Sequence, residues 1–103
     1  MNTNQFLQEI LEPSRQKLVL AMASARWSAE AIITGDQVAE FTQSHDNVAS
    51  MQIDIEDKPE MLRYFRIGRV PTLIVLKNFE VVDVISGLTN KKRLFSRLSQ
   101  HLA

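Results

Sequence analysis

The sequence predicts an α/β layered fold: a central mixed four-stranded sheet flanked by helices. Two observations carry that prediction. The segment from Lys17 to Ala23 is a nearly continuous apolar run, which reads as a strand covered on both faces and therefore central in its sheet. Segments of helical periodicity also alternate with short strand-like runs in the order α-β-α-β-α-β-β-α. That order calls for a parallel pair and a terminal antiparallel hairpin.

Asn2 or Thr3 can cap a first helix, with Phe6, Leu7, Ile10 and Leu11 as its apolar stripe. Pro13 is expected to end it, because proline disfavours a helical conformation at Glu12. After the apolar strand, Ser28 is a good N-cap and Glu30 suits the positive end of the next helix. Ala31, Ile32, Val38 and Phe41 give that helix its apolar face. The stretch Thr34-Gly35-Asp36-Gln37 predicts a kink or restart, since Gly35 weakens a helix and Thr34 with Gln37 fits a capping box.

Val48 to Ile55 alternates, with Ala49, Met51, Ile53 and Ile55 on the drier face. Pro59 opens a short helix that buries Met61, Leu62 and Phe65. Thr72 to Lys77 and Glu80 to Ser86 are strands joined by a tight turn at Asn78-Phe79. Gly87 predicts a bulge or a close backbone approach. Thr89 or Asn90 caps the last helix, whose buried face is Leu94, Phe95, Leu98 and Leu102.

Composition narrows the function. The 103 residues fit one domain spanning 1–103, and 45% hydrophobic residues supply one core. Twelve basic and twelve acidic side chains cancel, so no net field attracts nucleic acid or an anionic membrane. There is no cysteine, which excludes disulfides, thiolate metal sites and thiol catalysis. The polar residues 1–9 do not read as a signal peptide, and no run is long enough to span a bilayer. Cytoplasm is the expected compartment.

Several residues at consistent spacing resemble thioredoxin from Leu18 onward. Trp27 follows the central strand, and Pro59 opens a helix upstream of Val70-Pro71-Thr72, which is similar to the family's cis-proline loop. Leu76-Lys77-Asn78-Phe79-Glu80 resembles the family's hairpin Phe-Lys-Asn-Gly-Glu, and Gly87 falls where the family has a glycine. The resemblance implies a thioredoxin-like fold. It also implies that the family's first strand is missing here, which leaves Val48–Ile55 as an exposed sheet edge.

The departures from the family are coordinated. Its redox motif Trp-Cys-Gly-Pro-Cys reads here Trp27-Ser28-Ala29-Glu30-Ala31. Its buried aspartate corresponds to Met22, and where it keeps a lysine nearby this chain has Gln52. The helix-kinking proline corresponds to Asp36, and the turn glycine to Phe79. A buried carboxylate is costly unless it serves a purpose, so an apolar Met22 is consistent with lost thiol chemistry.

The expected function is a redox-inactive interaction module that holds no cofactor and no metal. Its partner-binding face, the former active-site face, comprises Trp27, Ser28, Ala29, Glu30, Ala31, Val70, Pro71, Thr72, Gly87 and Leu88. The resemblance implies an extended protein segment as ligand, bound through main-chain hydrogen bonds beside Pro71. A homodimer through the Val48–Ile55 edge is a second expected contact.

Two alternatives stand beside this one: a glutathione-dependent or other enzyme using the helix N-terminus at Ser28, and an oligomerising structural domain. Serine needs an adjacent base, and His45 and His101 are distant in sequence, so Ser28 reads as a plain cap. Asp54, Glu56, Asp57 and Glu60 lack the spacing of a cation loop and read as a solvated rim. Lys91, Lys92, Arg93 and Arg97 form a basic patch without interleaved aromatics, which argues against nucleic acid.

Overall fold

The computed structural model describes residues 8–102. The helix start at Asn2 or Thr3, its residues Phe6 and Leu7, and the expected lack of a preceding strand all lie outside that range. Residues 8–11 are helical and run directly into a 3-10 turn, Glu12–Arg15. The α-helix stops at Leu11, before Pro13 as expected, but Glu12 is not driven out of helical conformation: Pro13 sits in the first positions of the tighter turn, where a missing N–H costs nothing.

The elements that follow are β1 (Leu18–Ser24), α1 (Ala29–Gln43), β2 (Val48–Asp54), α2 (Glu60–Tyr64), β3 (Thr72–Lys77), β4 (Glu80–Ser86) and α3 (Lys91–Ser99). The sheet order is β2-β1-β3-β4, with β1 parallel to β2 and antiparallel to β3, and β3 antiparallel to β4. The strand read as central is central. Every β1 residue from Leu18 to Ala23 is buried, because helices cover both faces.

Alternation along the strands builds two cores. Leu18, Leu20, Met22, Leu73, Val75 and Ile85 face one side and pack against Val38 and Phe41 of α1 and Leu94 and Leu98 of α3. Val19, Ala21, Ala23, Ile74 and Leu76 face the other side and pack with Ile10 and with Met61 of α2. Each large side chain buried this way contributes about 1.5–3 kcal/mol.

The expected break in α1 does not occur. The helix runs unbroken through Thr34-Gly35-Asp36-Gln37. Its buried stripe of Ala31, Thr34, Val38 and Phe41 crosses that stretch, so packing on the sheet outweighs the local preference to stop. Gly35 is overlaid by the Gln52 side chain, whose Nε2 would lie 2.4 Å from a Cβ placed there.

The hairpin turn has left-handed φ at Asn78 (52°) and Phe79 (68°), the conformation that the family's glycine would adopt. Ser14 clips this turn to the 3-10 turn: its carbonyl accepts from Asn78 N–H at 2.8 Å and its Oγ from Phe79 N–H at 2.9 Å. Gly87 makes the close backbone approach, its N–H donating to Pro71 O at 2.7 Å, while the bulge lies between Val75 and Leu76, which pair with Asp83 and Val81 and leave Val82 over. No helix among the described residues is long and apolar enough to cross a membrane.

Candidate functional site

The C-terminal end of β1 delivers the chain to the N-terminus of α1. Ser28, 7% exposed, is the N-cap; its Oγ accepts from Ala31 N–H at 3.1 Å, satisfying one of the helix's free donors. Its own N–H donates to Ala25 O at 3.1 Å, which fixes the turn that carries Trp27 outward. Trp27 is 69% exposed, the largest exposure among the large hydrophobic side chains of the described residues.

The second wall is the loop before β3. The Val70–Pro71 bond is cis. Pro71 O accepts from Gly87 N–H at 2.7 Å, so the loop and the end of β4 are joined main chain to main chain. Thr72 Oγ1 donates to Arg69 O at 2.7 Å and tightens the loop from below. Thr72 also pairs with Ala23 on one side and Ser86 on the other, which brings the loop alongside the end of β1.

These contacts sort the expected residues by role. Ser28, Ala31, Pro71, Thr72 and Gly87 are buried and form the support. Trp27, Ala29, Glu30 and Leu88 are exposed and Val70 is half-buried, so they form the outer surface. The main-chain N–H and carbonyl of Val70 have no partner among the described residues. A half-buried peptide unit left open in this way is suited to an extended segment laid beside it.

The reading from sequence did not include Arg69. Its guanidinium lies over Gly87, where a Cβ would sit 2.8 Å from Cζ, and its Nη2 reaches Glu30 Oε2 at 3.9 Å. It therefore links the proline loop, the end of β4 and the α1 N-terminus across the candidate face. Gly87 is required by its backbone, at φ 78°; the overlying guanidinium is the far end of an exposed side chain. The signal available in sequence was a long cation two residues before the proline.

Behind the face, the chemistry of thiols has no support. Met22 is 1% exposed, between Gln52 on β2 and Leu73 on β3. No titratable side chain occupies that position. Neither histidine is near Ser28: His45 Nδ1 lies 2.8 Å from Phe41 O, and His101 Nε2 lies 3.0 Å from Asp83 Oδ2.

Several of the other charged groups are engaged in structure. Asp54 pairs with Arg26 at 3.4 Å and accepts from Glu56 N–H at 2.8 Å. No group of three or more acidic or histidine side chains is arranged to hold a metal ion among the described residues. In the basic patch, Lys91 pairs with Glu40 at 2.7 Å and Arg97 with Asp83. Arg97 Nε donates to Asp83 Oδ2 at 2.7 Å and holds that carboxyl down at about 2, helped by His101 and opposed by partial burial.

Comparison with known proteins matches this architecture. The thioredoxin family model matches residues 1–100. Thioredoxin 1 of Synechococcus elongatus is 30% identical over 98 residues, covering 94% of this chain and 90% of that protein. Glutaredoxin-3 of Mus musculus is 25% identical over 99 residues, covering 96% of this chain but 29% of that protein. The chain thus spans under a third of the length of that larger relative. Among solved structures, Fasciola hepatica thioredoxin superposes with a TM-score of 0.83 at 18% identity, covering 95% of this chain and 93% of that one.

Proposed function

The chain belongs to the thioredoxin family, and on that footing we propose that it is a redox-inactive interaction module. In this reading it binds an extended segment of a protein partner on the face formed by Trp27, Val70-Pro71-Thr72 and Gly87-Leu88, in the cytoplasm, without a cofactor. The chain has no cysteine, so thiol–disulfide exchange by its own side chains is closed to it. The observation that carries the reading is the open peptide unit of Val70, in a chain that also exposes the apolar side chains of Trp27 and Leu88. Exposed aromatics of that size beside a free main-chain edge favour contact with a partner.

Ser28 supports the plain-cap role over the enzymatic alternative. It is buried, its oxygen already accepts from Ala31 N–H, and no base adjoins it. Glutathione added to the labelled protein is expected to leave the amides of Ser28, Ala29 and Thr72 unshifted.

Affinity capture from the source cells tests the proposal, using the wild type, Trp27→Ala and Val70→Asp. A partner held by the wild type and lost from both folded variants supports the face. A partner retained equally by both variants rejects it.

A further inference from the structure

The two edges of the sheet are not equivalent. At the β4 edge, alternation from Gly87, whose N–H faces β3, turns Val84 outward. Both of its outward groups are occupied: the N–H donates to Asp83 Oδ1 at 2.9 Å, and the carbonyl accepts from Arg97 Nη2 at 3.2 Å. The chain therefore closes the middle of this edge with its own side chains, despite the exposed valines 81, 82 and 84.

At the β2 edge nothing comparable exists among the described residues. Ile55 N–H donates to Ser24 O at 2.9 Å and Asn47 O accepts from Leu18 N–H at 3.0 Å, so odd-numbered residues face β1. Ser50 and Gln52 then turn their N–H and carbonyl groups away from the sheet. Neither has a partner among the described residues.

We propose that β2 pairs with β2 of a second copy of this chain, antiparallel across a two-fold axis at Met51. Outward facing admits only registers that set even-numbered residues opposite even-numbered ones; of these, the one centred on Met51 pairs the whole of β2, Val48–Asp54, and sets Ser50 opposite Gln52 of the copy and Gln52 opposite its Ser50.

The same register matches side chains. Ser50 and Gln52, both exposed, become a polar cross-strand pair on the α1 side. Met51 meets its copy, and Ala49 meets Ile53; all three are half-buried apolar groups on the opposite side. Asp54 stands opposite Val48 and remains paired with its own Arg26, so no like charges of the strands oppose one another. Asp36 is the one charge lining the cleft of about 300 Å³ between α1 and β2. The pairing would join two four-stranded sheets into one continuous sheet and leave the Trp27 face free on each copy.

Sedimentation of the full chain over a concentration series is the test, combined with variants. The wild type is expected to dimerise, and Gln52→Pro to weaken the dimer about thirty-fold, two main-chain hydrogen bonds being lost. That proline removes an outward N–H and leaves β1 pairing intact. Ser50→Lys with Gln52→Lys sets like charges opposite each other and is expected to dissociate the dimer without touching the core.

Because the chain has no cysteine, Met51→Cys supplies a single thiol at the axis. It is expected to cross-link two copies on mild oxidation, whereas Val82→Cys is not. A wild type that stays monomeric at all concentrations overturns the proposal. So does a dimer that survives both β2 variants, or one cross-linked by Val82→Cys and not by Met51→Cys.

Discussion

At the scale of residues, Ser28 and Met22 carry most of what distinguishes this chain. Ser28 holds the N-cap position of a fifteen-residue helix, so a sulfur placed there would feel the same free donors. Ser28→Cys is therefore expected to give a thiol that titrates below the free value of about 8.5, read from the pH dependence of alkylation in this otherwise thiol-free chain. Met22→Asp tests the other half of the account. Burial raises the new carboxyl's pKa in the folded state, so the cost is smallest below the unfolded value and grows as pH rises. Denaturant titration should show a loss of about 3 kcal/mol or more at pH 7 and a smaller loss at pH 3. Both positions were legible in the sequence, since a cap and a buried apolar residue announce themselves by local pattern. Arg69 was not, because its role depends on Gly87, a residue brought to it by the β3–β4 pairing.

At the scale of elements, α1 shows where local signals mislead. Gly35 and the Thr34–Gln37 pair ask for a stop, but a buried stripe crosses them and the helix continues. What opposes a side chain at Gly35 is the far end of Gln52, an exposed and flexible group. Gly35→Ala is thus expected to stabilise the protein by about 0.5–1 kcal/mol, measured by thermal or denaturant unfolding. A loss instead would mean that Gln52 is held in place. The strands were easier to read than the helix interior. The unbroken apolar run of β1 and the alternation of β2 depend on period alone. Of the two expectations for Gly87 the close backbone approach holds, and the bulge at Val82 has no glycine to signal it, because a bulge is set by pairing across the ladder.

At the scale of the whole molecule, the central place of β1, the parallel pair, the terminal hairpin and the absence of thiol chemistry follow from pattern and composition, whereas the one core expected is divided in two by the sheet. The closure of the β4 edge does not, since Asp83, Val84 and Arg97 come together only when α3 docks on β4. That closure gives a pH signature. Asp83 is held at about 2 against an ordinary 3.8, so its contribution is fully present above pH 4 and is lost as pH falls through 2. Arg97→Ala removes the main cause and frees the Val84 carbonyl, so acid sensitivity in that window should shrink while association beyond the dimer, through β4, appears in sedimentation. The central claim concerns the other end of the molecule, the face of Trp27 and the proline loop. Hydrogen–deuterium exchange of the chain, free and bound to the captured partner, tests it most directly. The account predicts fast exchange of the Val70 amide in the free protein and slowing on binding at Val70, Thr72, Gly87 and Leu88. Slowing confined to residues 91–97 or 50–54, with Val70 unchanged, would contradict it.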